Sequence, residues 1–152
     1  MTQRKINARS IIVEVESATA DTWLRVENLS SVTVNRAENE EAVDTTDFDS
    51  EGAYEQEILQ RGASMALAGM ELKDSATGAL QPGRARVEAC GAEDMLGTDS
   101  LNRYRFRHPM ATEWRIWTAT TSIGETGGET NAKSAWAATI TKSGLSTTAA
   151  VS

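Results

Sequence analysis

Short runs in which apolar and polar residues alternate with a period of two recur along the whole chain, and they restrict it to a mainly β fold. The clearest is 103–108, where Arg103, Arg105 and Arg107 face one way and Tyr104, Phe106 and His108 the other. Residues 11–16 set Ile11, Val13 and Val15 against Glu14 and Glu16, and 22–26 repeat the pattern around Trp23 and Leu24. A polar break at 28–31 precedes a further β segment at 32–34. Residues 63–72 place Met65 and Leu67 on one face, with small residues and Met70 on the other. Two later strands, 113–121 and 134–142, align Trp114, Ile116 and Thr118 in the first and Trp136, Ala138 and Ile140 in the second, joined across the polar, glycine-rich tip 124–131.

One helix interrupts the series. Pro82-Gly83 opens a segment with Val87 and Cys90 on one face, and proline suits a first helical turn. The helix is expected to end near Glu93 to Met95, before Gly97. Many short alternating strands with one flanking short α-helix predict an antiparallel β-sandwich or barrel-like fold rather than an alternating α/β one. The 152 residues suit one domain, read as 1–145, with 146–152 as a flexible tail because 143–152 carry only weak ordering signals. Leu, Ile, Val and Phe together number 26, below the level expected of a self-sufficient core, while Ala alone contributes 22. A core this thin points to a subunit stabilised by its neighbours.

Charge narrows the function. Fifteen Lys and Arg against 22 Asp and Glu give a net charge of −7, which disfavours conventional nucleic-acid binding. Nine acids (Glu38, Glu40, Glu41, Asp44, Asp47, Asp49, Glu51, Glu55 and Glu57) fall within 37–60, which holds no Lys or Arg. The rest of the chain carries 13 acids and 15 bases, so the negative charge is concentrated in one block. Like charges repel and favour an extended or mobile conformation there. No apolar stretch approaches the ~20 residues that span a bilayer, so no membrane association is expected. The basic start Met1-Thr2-Gln3-Arg4-Lys5 lacks an apolar stretch behind it, and no secretion signal is read there. A single cysteine, Cys90, excludes an internal disulfide and a cysteine-based zinc site, consistent with folding in a reducing cytoplasm.

No catalytic constellation assembles from these residues, and the chain is read as a non-enzyme that needs no cofactor. One histidine, His108, cannot form a two-histidine metal site within a subunit. No Gly-x-Ser-x-Gly occurs, and Cys90 lies on the inner face of the helix, where thiols are inert. Asp47-Phe48-Asp49-Ser50-Glu51-Gly52 imitates the start of an EF-hand loop, but Ile58 stands where the bidentate Glu is required, so no metal site is assigned. The Arg103/Arg105/Arg107 face is expected to pair with carboxylates, either on a neighbouring subunit or on the acidic segment of its own chain, because Arg grips carboxylates in a side-on fork.

The order of these features carries a resemblance. A Trp23-to-Val26 strand leads to Leu29. The Asp-rich Asp44-Thr45-Thr46-Asp47-Phe48-Asp49, the small-residue strand 63–72 and the Pro82-Gly83 helix follow. Tyr104-Arg105-Phe106-Arg107, a strand closing on Ser122-Ile123-Gly124 and a final Trp136 strand complete the series. Over roughly residues 10–145 this resembles the major tail tube proteins of long-tailed, non-contractile bacteriophages, especially the lambda-like group, and is similar also to the inner-tube proteins of contractile tails. The resemblance implies a virion structural protein, assembled in the host cytoplasm, whose homohexameric rings stack into a tail tube through which DNA passes. It implies further partners in the tape measure, tail tip and terminator proteins. The acidic segment 38–60 then occupies the position of an assembly loop, which makes Asp44, Asp47, Asp49, Glu51 and Tyr54 inter-ring contact candidates, beside Arg103, Arg105 and Arg107 as subunit contacts and Glu14 and Glu16 as lumen-facing candidates. Two other readings stay open on the residues: a terminator protein that forms one ring and stops, and a small β-sandwich binding module directed to calcium or carbohydrate.

Overall fold

The computed structural model describes residues 2–151; Met1 of the basic start and Ser152 of the expected tail lie outside them. The fold is mainly β. In chain order it comprises β1 (Ile12–Glu16), β2 (Trp23–Arg25), β3 (Leu29–Asn35), β4 (Glu41–Asp44), β5 (Gln56–Gln60), β6 (Ser64–Met70), α1 (Pro82–Cys90), β7 (Asn102–Arg107), β8 (Glu113–Ile123), β9 (Ala135–Lys142) and β10 (Thr147–Ala150). Eight strands form one sheet in the order β2-β1-β7-β8-β9-β6-β3, with β10 also paired to β8. Every pairing is antiparallel, and β4 and β5 make a separate two-stranded hairpin.

The register explains the core. Val15 lies opposite Tyr104, Tyr104 opposite Trp117, Ile140 opposite Met65, Ala138 opposite Leu67 and Leu67 opposite Val32. One sheet face therefore collects a continuous apolar surface, and these side chains form a single buried cluster with Val87 and Cys90 of α1. The two ends of the sheet approach each other. β2 joins β3 through three residues, and the 310 turn Ala8–Ser10 leading into β1 packs on β3. The sheet thus curls into an incomplete barrel with α1 against β1, β2 and β8. Gly83 permits that seat, since a Cβ there would lie 2.1 Å from the Arg25 carbonyl oxygen.

The interior compensates for few aliphatic residues with large ones. Trp136, Tyr104 and Met65 are fully buried, and Phe106 meets Trp117 edge-on at 5.1 Å between ring centroids. One charged group joins them. Arg84 of α1 is 0% exposed, its guanidinium 4.7 Å from the Trp136 ring centre. Its Nε donates to the Glu27 carbonyl (3.1 Å), Nη2 to that of Asn28 (2.5 Å) and Nη1 to that of Met70. One side chain thereby ties the β2–β3 corner, the end of β6 and the helix together.

Four local expectations change. The helix stops at Cys90, three to five residues early, where Gly91 takes a non-helical conformation against the Ile123 side chain. β8 runs on to Ile123, and Trp117 and Ala119 face the main core, whereas Trp114 and Ile116 are buried on the opposite face. The expected flexible tail instead contributes β10. β9 pairs only with residues 119–123 of β8, so the edge beside Glu113–Ile116 is free to accept Thr147–Ala150. The acidic block is a defined hairpin, extended by a 310 turn at Phe48–Ser50.

Candidate assembly interface

Two surfaces hold the residues singled out above, and they are built very differently. The first is the sheet face opposite the core. Cross-strand pairing sets Glu14 against Arg105 and, one rung on, brings Glu16 beside Arg103. Arg105 Nε donates to Glu14 Oε1 at 2.8 Å, and Nη2 reaches the same oxygen. Arg103 Nη1 bonds Glu16 Oε2 at 2.6 Å and Asp21 Oδ1 at 3.2 Å. Indole rings separate the guanidiniums: Arg105 lies 4.5 Å from the Trp23 centroid and 4.0 Å from that of Trp114. Arg107 covers the same Trp114 at 4.7 Å. The stack covers Trp114, which is buried on the sheet face opposite the core.

This geometry corrects one expectation. The partners of Arg103 and Arg105 are carboxylates of the same chain, but they come from β1 and the β1–β2 turn rather than from the acidic segment or a neighbour. Glu14 and Glu16, the lumen-facing candidates, have side chains only 15% and 18% exposed, and each is paired with an arginine across the sheet. Arg107 differs from its two neighbours. Ile12 stands opposite it where the ladder would place a third acid, and among the described residues it donates only to the carbonyls of His108 and Pro109. His108 leaves the strand, and its Nδ1 accepts the Met110 amide at 3.3 Å.

The second surface is the β4–β5 arm. Every residue of both strands is exposed, and the two strands pair with each other rather than with the main sheet. Its tip is shaped by its own acids. Asp47 and Ser50 form a reciprocal cap of the 310 turn, the Asp47 carboxylate accepting the Asp49 amide at 2.9 Å. Asp44 accepts the Thr46 amide at 2.8 Å, and the hydrogen bonds from Thr46 hold its carboxyl below the usual range. Asp49 and Glu51 project into solvent, the latter with a left-handed backbone that ends the turn. Tyr54 donates to Gln56 Oε1 at 3.2 Å.

Reasoning from the acids alone missed the apolar side of this arm. Val43, Phe48, Tyr54, Ile58 and Leu59 are all exposed, and Phe48 is bare to solvent. An arm of this size with so much uncovered apolar area is unusual for a monomer's surface. The Glu55-to-Leu59 run, in which acids and apolar residues meet, was the available signal. The body also leaves sheet edges unpaired. β2 and β3 end the strand order, and a cleft of about 360 Å³ between residues 8–11 and the β2–β3 corner exposes Arg9 and Arg25.

Chemistry is sparse elsewhere. Among the described residues no three His, Cys, Asp or Glu side chains converge on a possible metal position. Burial raises the Cys90 thiol and pushes the Tyr104 hydroxyl far above its ordinary value, the latter bonded to Thr121. Both groups lie inside the core. Among the described residues no helix is long and apolar enough to cross a membrane.

No family model matches the chain, and no curated protein matches it by sequence. Solved structures do match. A chain of the virion of a native gene transfer agent particle superposes with a TM-score of 0.68 at 18% identity, over 96% of this chain and 100% of that one. A chain from the tail of an empty gene transfer agent particle, refined helically with C6 symmetry, gives 0.69 at 18% identity and the same coverage. A chain of the six-fold symmetrised baseplate of the anti-feeding prophage gives 0.56 at 8% identity, over 99% of this chain and 98% of that one. At these identities the likeness establishes a shared fold along the whole chain.

Proposed function

We propose that this chain is a non-enzymatic structural subunit of a phage-type tail, in which six copies close into a ring and rings stack into a tube that conducts DNA. The observation that carries this reading is the β4–β5 arm. It carries Val43, Phe48, Tyr54, Ile58 and Leu59 uncovered among seven carboxylates, Glu41, Asp44, Asp47, Asp49, Glu51, Glu55 and Glu57, none of which forms a salt bridge among the described residues. Covering that apolar surface requires another protein, and in a polymer of identical subunits the cover is the next copy. The shared fold with a tail chain arranged in C6 symmetry supports six as the ring number.

Two features supply the contacts. Open edges at β2 and β3 allow strands of adjacent copies to pair around a ring, and ring closure then removes them. The arm carries Asp44, Asp47, Asp49, Glu51 and Tyr54 to the neighbouring ring. The local bonds of Asp44 and Asp47 set the shape of the tip, while Asp49, Glu51 and Tyr54 are free to touch. The net charge of −7 gives the polymer an overall field that repels the DNA backbone and discourages adhesion during passage.

Sedimentation velocity across a concentration series tests the reading. The tube account expects monomers to give way to hexamers and then to very large species above a threshold concentration. A population that stops at discrete hexamers supports the terminator instead. A monomer whose melting temperature rises with calcium supports the binding module.

A further inference from the structure

We propose that Arg107 is the receiving site for the acidic arm, gripping Glu57 of a second copy of this chain; the inference rests on the tube reading and names one of its contacts. The ladder of ion pairs along β7 breaks at Arg107. On adjacent rungs of β1 and β7, Arg103 and Arg105 each meet a glutamate, and at the third rung Ile12 replaces the acid. Arg105 uses its Nε and Nη2 edge to hold Glu14. The same edge of Arg107 has no acceptor among the described residues, and its Nε is shielded from solvent without a hydrogen bond. A shielded donor without an acceptor is a penalty that an incoming carboxylate removes.

The surroundings define what can bind. Nη1 is anchored on the His108 and Pro109 carbonyls, Trp114 backs the guanidinium plane, and Met110 is exposed in the turn that follows. The site is therefore a fixed cation flanked by apolar area.

The arm offers the complement. Glu57 lies directly opposite Val43 on the hairpin, and Leu59 is the residue left without a partner where the register shifts between Glu41 and Ala42. Both apolar residues are exposed, and Glu57 forms no ion pair among the described residues. Asp44 and Asp47 are already committed to the turn. An acid paired with an exposed apolar residue is thus the complement of a cation between an aromatic and a methionine. Both strands are exposed throughout and no cation of the described residues pairs with Glu57, so a second copy supplies the partner.

The test is a charge exchange read by pelleting of assembled protein, with urea midpoints of the dilute monomer as the folding control. Arg107→Gln and Glu57→Gln each raise the concentration for half-assembly about tenfold or more, as loss of one partner of a desolvated pair does. Arg107→Glu and Glu57→Arg each abolish pelleting, and the double exchange restores it. Glu57 is on the exposed arm, so its variants keep the test valid even if an Arg107 variant folds poorly. Assembly of Glu57→Gln at the wild-type concentration overturns the pairing while leaving the tube reading intact. Rescue of Arg107→Glu by Asp49→Arg or Glu55→Arg, and not by Glu57→Arg, overturns the choice of residue. Failure of the wild-type chain to assemble at any concentration overturns both.

Discussion

Replacing Arg84 with methionine tests whether a buried cation organises the closed corner of this fold. The substitution keeps most of the side-chain volume and the contact with Trp136, but removes three donors from the carbonyls of Glu27, Asn28 and Met70. An interior acceptor left without a donor costs about 1–3 kcal/mol. All three carbonyls belong to exposed residues, so water recovers part of that loss. Removing the charge also relieves the desolvation that lowers the Arg84 pKa. Taking the lower bound for each carbonyl gives a net destabilisation of about 2–3 kcal/mol. For a domain of this size that lowers the melting temperature by roughly 5–10 °C. Urea unfolding of the dilute, monomeric protein reads the change directly. Arg84→Lys serves as the companion, since one ammonium cannot span three carbonyls and remains a buried charge; it loses at least as much. A methionine variant within about 0.5 kcal/mol of wild type, the ordinary range for an indifferent site, refutes the role given to Arg84.

Two further predictions concern pH and the arm. Burial raises both Cys90 and Tyr104, so the folded state holds their protons more tightly than the unfolded chain. Their contribution to stability is complete below the ordinary thiol value of 9.0 and falls as pH rises through that value and the tyrosine value of 10.0. Urea midpoints at pH 7, 9 and 10.5 should decline accordingly, and Cys90→Ala with Tyr104→Phe should flatten the decline; an unchanged slope in the double variant contradicts it. Replacing residues 45–55 with an Asn-Gly turn should leave the urea midpoint of the body within about 0.5 kcal/mol of wild type, since both strands of the arm are exposed throughout, yet abolish sedimentation of large species. Assembly of that variant at the wild-type threshold contradicts the role of the arm.

Strand content was legible wherever alternation was strict. β7 reads directly because arginines and aromatics alternate without a break, and the sheet uses both sets, one toward the core and one toward the Trp–Arg stack. β8 was legible as a strand but not as to its buried side, because Trp114 and Trp117 have opposite parity and each face of the sheet buries one. β10 carries almost no apolar signal. Its order comes from a vacant edge on β8, a tertiary fact that no local window contains.

The sites divide the same way. The acidic block is plain in composition, but the exposure of Val43, Phe48, Ile58 and Leu59 follows from the strands of the arm pairing with each other rather than with the main sheet. Glu14 and Glu16 read as surface acids until the register brings Arg105 and Arg103 across from them. Arg84 has no sequence signature at all, since its three acceptors lie 14, 56 and 57 residues away. Arg107 could be singled out only once two of the three arginines on its strand had been paired.

The central claim is that copies of this chain close into six-membered rings that stack through the arm. Electron microscopy of the concentrated, purified chain tests it most directly, with end-on and side views averaged separately. The account predicts tubes of uniform width, a regular axial repeat and six-fold end views. Single particles of monomer size at every concentration, with amides of the β4–β5 arm as protected from hydrogen exchange as those of β7, would contradict it.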